Sequence, residues 1–121
     1  MNSLVSKRTR ELKRIEIKKI LILKDSFWKY SIKSQKEWFK ENVRNNDLHN
    51  LLFLNKRLIG YTLLRLRKIK NLKNLYFLLD TMIIKKELRK KKYGELLMKF
   101  NNHIINKNNK LGFLQCKKKE I

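Results

Sequence analysis

The sequence has no proline, three glycines and one cysteine among its 121 residues. The lone cysteine, Cys116, cannot form a disulfide within the chain, so a disulfide-stabilised secreted fold is excluded. The longest apolar runs, such as residues 20–23, are far shorter than the roughly 18 residues needed to cross a bilayer. Residues 1–10 carry charges but no apolar signal-peptide core. We therefore expect a cytoplasmic protein with no membrane span.

Acidic residues are also scarce, with 10 Asp and Glu against 32 Lys and Arg, which gives a formal charge of +22. Such a charge favours an anionic partner, and nucleic acid is one candidate. However, the basic residues are spread from Lys7 to Lys119, and Lys, Asn, Ile and Leu are abundant together, as AT-rich coding sequences tend to produce. The sequence therefore favours a small anionic ligand, and nucleic-acid binding remains the alternative.

Length and a hydrophobic content of 42% predict one domain over residues 1–121, with a basic lead-in at 1–11 and a core at 12–121. Period-2 and helical spacing predict an α/β (α+β) order. The predicted elements are a strand at 12–17, two helices from 20 to about 44, strands at 51–54, 58–66 and 76–84, a helix at 93–105 and a strand at 111–116. The three middle strands form an antiparallel meander. Gly60, near the start of one of them, marks a bulge or a close backbone approach.

The segment from strand 76–84 through the basic loop 85–92 to the helix that follows is the strongest candidate for a ligand site. A loop that opens a helix offers free backbone N–H groups and the positive end of the helix dipole, a combination that binds phosphate. Gly94 lies in the first turn, where a side chain would keep an anion away. Basic residues surround the loop: Arg89, Lys90, Lys91 and Lys92.

This segment resembles motif A of the GNAT N-acetyltransferases, in which an apolar strand is followed by Q/R-x-x-G-x-G/A and a helix that begins with a Leu pair. The matching positions are Arg89, Gly94, Leu96 and Leu97. Lys92 departs from the pattern, because it stands where the first glycine is usual. Residues 51–65, with Leu-Ile-Gly-Tyr (58–61) at their centre, are similar to the family's second and third strands, and residues 110–116 are similar to its fifth strand.

The resemblance implies a GNAT-like, mostly antiparallel sheet flanked by helices and lacking the last two strands, so that the core would be incomplete at its C-terminus. It also implies acetyl transfer from acetyl-CoA, without a metal, to an amine of a small molecule such as an amino sugar. The implied cofactor-binding residues are the backbone of Met82, Ile83 and Ile84 for pantetheine, and Arg89, Lys90, Lys91, Lys92, Tyr93 and Gly94 for pyrophosphate. Two alternatives follow from the missing strands: a homodimer that completes the sheet, or a catalytically inactive remnant.

Asp80 is the candidate catalytic residue, since it is an acid within an apolar strand and would deprotonate or position the amine. The alternatives are an outward-facing strand carboxylate or one paired with a nearby lysine. Asp47 and His49 precede the meander and suggest a surface loop pair, or else a point of acceptor entry. We expect His103 to be exposed and Cys116 to be a small buried residue.

Four aromatic residues occur on the predicted first helices, and core packing is the interpretation we favour for them. The residues are Trp28, Tyr30, Trp38 and Phe39. Lining of an acceptor pocket is the alternative.

Overall fold

The computed structural model describes residues 2–68 and 75–108, together with the backbone of Leu111–Leu114. Its strands are β1 (Asn2–Arg8), β2 (Leu48–Leu54), β3 (Arg57–Lys68), β4 (Leu75–Ile84) and β5 (Leu111–Leu114). Its helices are α1 (Arg14–Phe27), α2 (Ile32–Asn42) and α3 (Tyr93–Lys107), with short 3-10 turns at Thr9–Glu11 and Lys86–Leu88. The predicted meander and the helix after it are therefore present. The tip between β3 and β4 and residues 115–121 lie outside the described residues.

The prediction of a first strand at 12–17 is wrong, because α1 occupies most of that segment. Glu16 accepts a hydrogen bond from the Lys13 backbone N–H at 2.8 Å, which satisfies one of the unpaired donors at the start of α1. Ile17, Ile20 and Lys24 then follow at helical spacing. The true first strand is Asn2–Arg8, within the predicted lead-in, and no residue in it is fully buried.

The sheet has the order β1-β2-β3-β4-β5, so its spatial order is its sequence order. Strands β1 to β4 are antiparallel, and β5 pairs parallel to β4. Asn55 and Lys56 join β2 to β3 with φ values of 51° and 69°. Two successive positive φ values are typical of the tight turns that fit a twisted hairpin.

The expectation for Gly60 is confirmed in both respects. The pairing of β2 with β3 shifts beside it, since Leu52 faces Gly60 but Phe53 faces Leu58, which leaves Ile59 as an extra residue. A Cβ at Gly60 would lie 3.0 Å from Ile84 Cδ1 and 3.2 Å from Leu52 Cβ. Glycine is thus required here by packing between three neighbouring strands.

Side chains on the two faces of the sheet form separate apolar clusters. Helices α1 and α2 cover one face, where Ile20, Leu23 and Tyr61 are buried. Helix α3 covers the other face through Leu97, Ile104 and Ile105. Among the described residues, no helix is long and apolar enough to cross a membrane.

Candidate functional site

The N-terminus of α3 has no side-chain cap. Its first residues, Tyr93, Gly94 and Glu95, carry N–H groups that have no partner within the helix, whereas Leu96 N already donates to the Lys92 carbonyl at 3.1 Å. The preceding basic side chains, Arg89 to Lys92, are exposed around this end. The arrangement offers N–H donors, the helix dipole and positive charge to an anion.

Lys92 adopts the left-handed conformation, with φ 64° and ψ 11°. This conformation is costly for residues with a Cβ and is the usual reason for a glycine. The departure from motif A therefore changes the residue but keeps the backbone shape that the glycine normally supplies. The Lys92 side chain is exposed and adds a charge beside the loop.

Gly94 differs from Gly60, because no contact among the described residues requires a glycine there. Its φ is not positive, and a Cβ would meet only Ile84 Cγ1, at an ordinary 3.9 Å. A glycine near the start of a helix also lowers helix stability relative to alanine. The space in front of Gly94 is thus open to something outside the described chain, as a closely approaching phosphate would need.

Arg89 folds back onto the protein. Its Nε donates to the Ile84 carbonyl at 3.2 Å, and its guanidinium lies 4.7 Å from the Phe27 ring centroid. The side chain thus ties the loop to the end of β4 and to α1. A role of Arg89 in binding pyrophosphate stays a prediction.

The second half of β4 has one edge that no described strand covers, which we call the open edge. β5 pairs with β4 only at residues Tyr76 to Leu79, and no other described strand pairs with Asp80 to Ile84 on the side away from β3. In an antiparallel pair, the N–H and C=O groups of successive residues point alternately toward and away from the partner strand. Lys85 N donates to the Ile59 carbonyl in β3, so the backbone groups of Ile83 also point toward β3. Those of Met82 and Ile84 point away from it. Of the three residues predicted to hold pantetheine, Met82 and Ile84 therefore present their polar backbone to the open edge.

A cavity of about 530 Å³ adjoins this edge on the α1–α2 side of the sheet. It is lined by Lys24, Trp28, Tyr30, Ser34, Gln35, Trp38, Asp80 and Thr81. Its size lies within the range of small-molecule sites. Of the four predicted aromatic residues, Trp28, Tyr30 and Trp38 line the cavity, whereas Phe39 is buried against His49. Trp28 and Trp38 also pack against the apolar cluster on this face, so the core-packing interpretation is confirmed for them and for Phe39. That the cavity receives an acceptor stays a prediction.

Asp80 is the extra residue of a second bulge. Leu63 faces Thr81 but Leu64 faces Leu79, which leaves Asp80 unpaired in the ladder. Its Oδ2 lies 3.1 Å from Arg65 Nη1 in an ion pair. Asp80 therefore reaches the cavity and also has the cationic partner of the alternative interpretation, although the partner is an arginine.

Asp47 is fully buried, so its interpretation as a surface loop residue is wrong. Its carboxylate forms an ion pair with Arg67 at 2.7 Å and accepts hydrogen bonds from the backbone N–H groups of Arg44 at 2.9 Å and Leu66 at 2.8 Å. These contacts join the end of α2 to β3. Asp47 is a structural residue and does not line the cavity.

His49 is also fully buried, which corrects its placement on the surface. Thr9 Oγ1 donates to the Arg44 carbonyl at 2.6 Å, so it accepts from His49 Nε2 at 2.8 Å. His49 Nδ1 then accepts from the Tyr61 hydroxyl at 2.7 Å. This chain of hydrogen bonds requires a neutral imidazole with its proton on Nε2.

We expect the burial of His49 to make the protein acid-sensitive. Burial lowers the pKa of His49 from 6.5 to about 4, so the folded state excludes a proton that the unfolded chain binds below about pH 6.5. This stability is complete above that pH and is lost as the pH falls toward 4, by at most about 3 kcal/mol. Urea unfolding at about pH 7 and pH 4 should show a larger loss for the wild type than for His49→Gln. Equal losses in the two proteins would contradict the expectation.

Two remaining predictions concern single residues. His103 is exposed on α3, as expected. Cys116 lies outside the described residues.

Lys24 and Thr81 line the cavity but were not predicted from the sequence. Lys24 carries a readable signal, since it follows Ile20 by four residues and so falls on the apolar face of α1.

Comparison with solved structures identifies the fold. An aminoglycoside acetyltransferase from an uncultured soil metagenomic sample, in complex with trehalose, superposes with a TM-score of 0.76 at 12% identity, covering 97% of this chain and 78% of that one. For a GNAT family acetyltransferase of Staphylococcus aureus the TM-score is 0.73 at 18% identity, with 96% and 88% covered. For the aminoglycoside N-acetyltransferase AAC(6')-Iy in complex with CoA it is 0.70 at 7% identity, with 97% and 79% covered.

No protein-family model matches the sequence, and no curated protein sequence matches it. The structural matches nevertheless define the class, an α/β fold shared with acetyltransferases. More narrowly, this chain has the GNAT N-acetyltransferase fold, as the resemblance of residues 79–97 predicted.

Proposed function

We propose that this chain is an acetyl-CoA-dependent N-acetyltransferase acting on a small-molecule amine in the cytoplasm. One observation carries the proposal: the open edge of β4 leads from the cavity at Asp80 and Thr81 to the uncapped N-terminus of α3 at Gly94. A single strand segment thus connects a small-molecule cavity to an anion site. An acyl-CoA needs a cavity and an anion site at the two ends of one path, because its thioester and its phosphates lie at opposite ends of a long arm.

The residues present fit the CoA moiety. The outward-facing backbone of Met82 and the N–H of Ile84, whose carbonyl already accepts from Arg89, offer amide partners to a pantetheine arm. The open space at Gly94 with the N–H groups around it suits a pyrophosphate. The exposed side chains of Lys90, Lys91 and Lys92 add charge. Acetyl-CoA would supply an activated thioester. The protein would supply position and polarisation.

In the proposed reaction the acceptor nitrogen attacks the thioester carbonyl carbon, a C–N bond forms, and the C–S bond breaks. The acceptor amine loses a proton, and the departing sulfur takes one up. An outward N–H on β4 would stabilise the charge that develops on the carbonyl oxygen. We assign Asp80 to holding the acceptor amine, because among the described residues it is the only carboxylate that lines the cavity.

The test is calorimetric titration of the full chain with acetyl-CoA, followed by an assay for free thiol in the presence of small amines. We expect saturable binding with one site per chain and amine-dependent thiol release. Titration at two salt concentrations controls for non-specific attraction to a chain of charge +22. Absence of binding at low salt would refute the proposal.

The same titration separates the alternatives. Binding of CoA without thiol release for any amine would favour the inactive remnant. Duplex binding that collapses with salt, without CoA affinity, would favour the nucleic-acid interpretation. A homodimer that completes the sheet stays a prediction, to be checked by the mass of the chain in solution with and without CoA.

A further inference from the structure

Lys24 is a buried cation without a counter-ion in the part of the chain that the structure describes. The residue is only 4% exposed, in the last part of α1, and it lines the cavity. Among the described residues its Nζ makes no hydrogen bond and no ion pair, and it lies 4.0 Å from the centroid of the Trp38 ring. Buried lysines almost always have a partner.

The nearby carboxylate does not provide that partner. Asp80 acts on Lys24 electrostatically but forms its ion pair with Arg65, at 3.1 Å. Contact with an aromatic face offsets only part of the cost of burying an ammonium. The cavity thus holds one cation whose hydrogen-bond donors are free, beside a carboxylate that is already paired.

Lys24 is charged in most molecules at neutral pH. Burial lowers its pKa to about 8, and the Asp80 carboxylate opposes this shift. The Trp38 ring also favours the ammonium over the neutral amine. A charged donor in a cavity attracts an anion, whereas a proton acceptor would have to be neutral.

We propose that Lys24 binds a carboxylate on the acceptor, an inference that rests on the proposed function. The substrate is then a small amine that also carries an acid group. A singly charged carboxylate matches one ammonium, whereas a phosphate dianion would leave one of its two charges unmatched, since Lys24 is the one cation among the described residues that line the cavity. Trp28 and Trp38 would pack against the apolar part of such a molecule. A polycationic amino sugar is disfavoured, because it would bring more positive charge next to Lys24.

Binding of a simple probe tests the proposal without catalysis. Saturation-transfer NMR with CoA present would compare benzoate with benzamide, which share an aromatic ring and differ in charge. We expect the wild type to prefer benzoate by about tenfold or more, as a charged hydrogen bond supports, and Lys24→Met to lose that preference. Lys18→Met is the matched control, since it removes an exposed charge from the same helix and should keep the preference.

Acyl transfer supplies a second readout. The probes are para-(aminomethyl)benzoate and its amide, in which the amine is remote from the group that changes. We expect a higher kcat/KM for the carboxylate in the wild type and in Lys18→Met, and similar values for the two acceptors in Lys24→Met. Lys24→Gln keeps a polar group and repeats the test if the methionine variant is poorly folded.

Three results would overturn the proposal: no preference for benzoate in the wild type, an unchanged preference in a folded Lys24 variant, or an equal loss of turnover for both acceptors. The last would mean that Lys24 acts on the reacting amine. The titration with acetyl-CoA keeps this failure separate from failure of the proposed function. If CoA binds and the benzoate preference is absent, only the role of Lys24 is refuted.

Discussion

Gly94→Trp is expected to weaken CoA binding by about a hundredfold or more, through the loss of roughly 3 kcal/mol of phosphate contacts. The reason is that the space in front of Gly94 is open and no neighbouring atom demands a glycine. An indole placed there would occupy the position of the pyrophosphate and cover the N–H groups that start α3. Calorimetry with CoA on the wild type and the variant measures the effect.

The matched control is Asn102→Trp, which places the same side chain at an exposed position on the same helix, away from its N-terminus. It should bind CoA as the wild type does. Lys92→Gly should gain stability, because it relieves a left-handed residue with a side chain, and should weaken CoA binding only slightly, since it removes one exposed charge. Equal CoA affinity of Gly94→Trp and the wild type would show that the cofactor loop lies elsewhere.

Asp47→Ala is expected to lower the free energy of unfolding by about 3–5 kcal/mol, the largest effect on stability that we predict. The change removes a fully buried carboxylate, leaves two backbone N–H groups without their acceptor and leaves Arg67 with backbone carbonyls but no counter-ion. Since domains of this kind are stable by only about 5–15 kcal/mol, a large share would be lost. Urea unfolding at neutral pH measures the difference.

Glu95→Ala serves as the control for that experiment. Glu95 and Lys99 form an exposed pair at 3.8 Å on α3, and such pairs contribute at most about 0.5 kcal/mol. We expect no measurable change for this variant. A loss below about 1 kcal/mol for Asp47→Ala would mean that the ion pair with Arg67 is not a stabilising element of the fold.

Much of the fold was predictable because its central part has strong local patterns. The buried runs in β2 and β3 reflect a strand covered on both faces, and the 3–4 spacing in α3 reflects a helix covered on one. The bounds of these elements differ from prediction by a few residues. β1 was missed for the opposite reason. It is an edge strand with no fully buried residue, so its sequence shows little apolar periodicity.

The site was predictable only where it is local in sequence. The loop, Gly94 and the unusual Lys92 lie within one short segment, and the structure brings them together at the start of α3. The burial of Asp47 and His49 depends on Arg67 and Thr9, which are far away in the chain. Lys24 had a helical spacing signal, but the chain has 32 Lys and Arg residues, and only the cavity singles out Lys24 among them.

The sheet order β1-β2-β3-β4-β5 has a consequence for how the chain reaches its native state. From β2 to β4, each strand pairs with the one synthesised just before it, so two of the pairings need only short loops to close. Such neighbouring pairings form quickly and suit folding during translation. β1 differs, because it must wait until both helices and β2 have left the ribosome. The segment with the weakest sequence pattern is therefore also the one whose pairing is the most delayed.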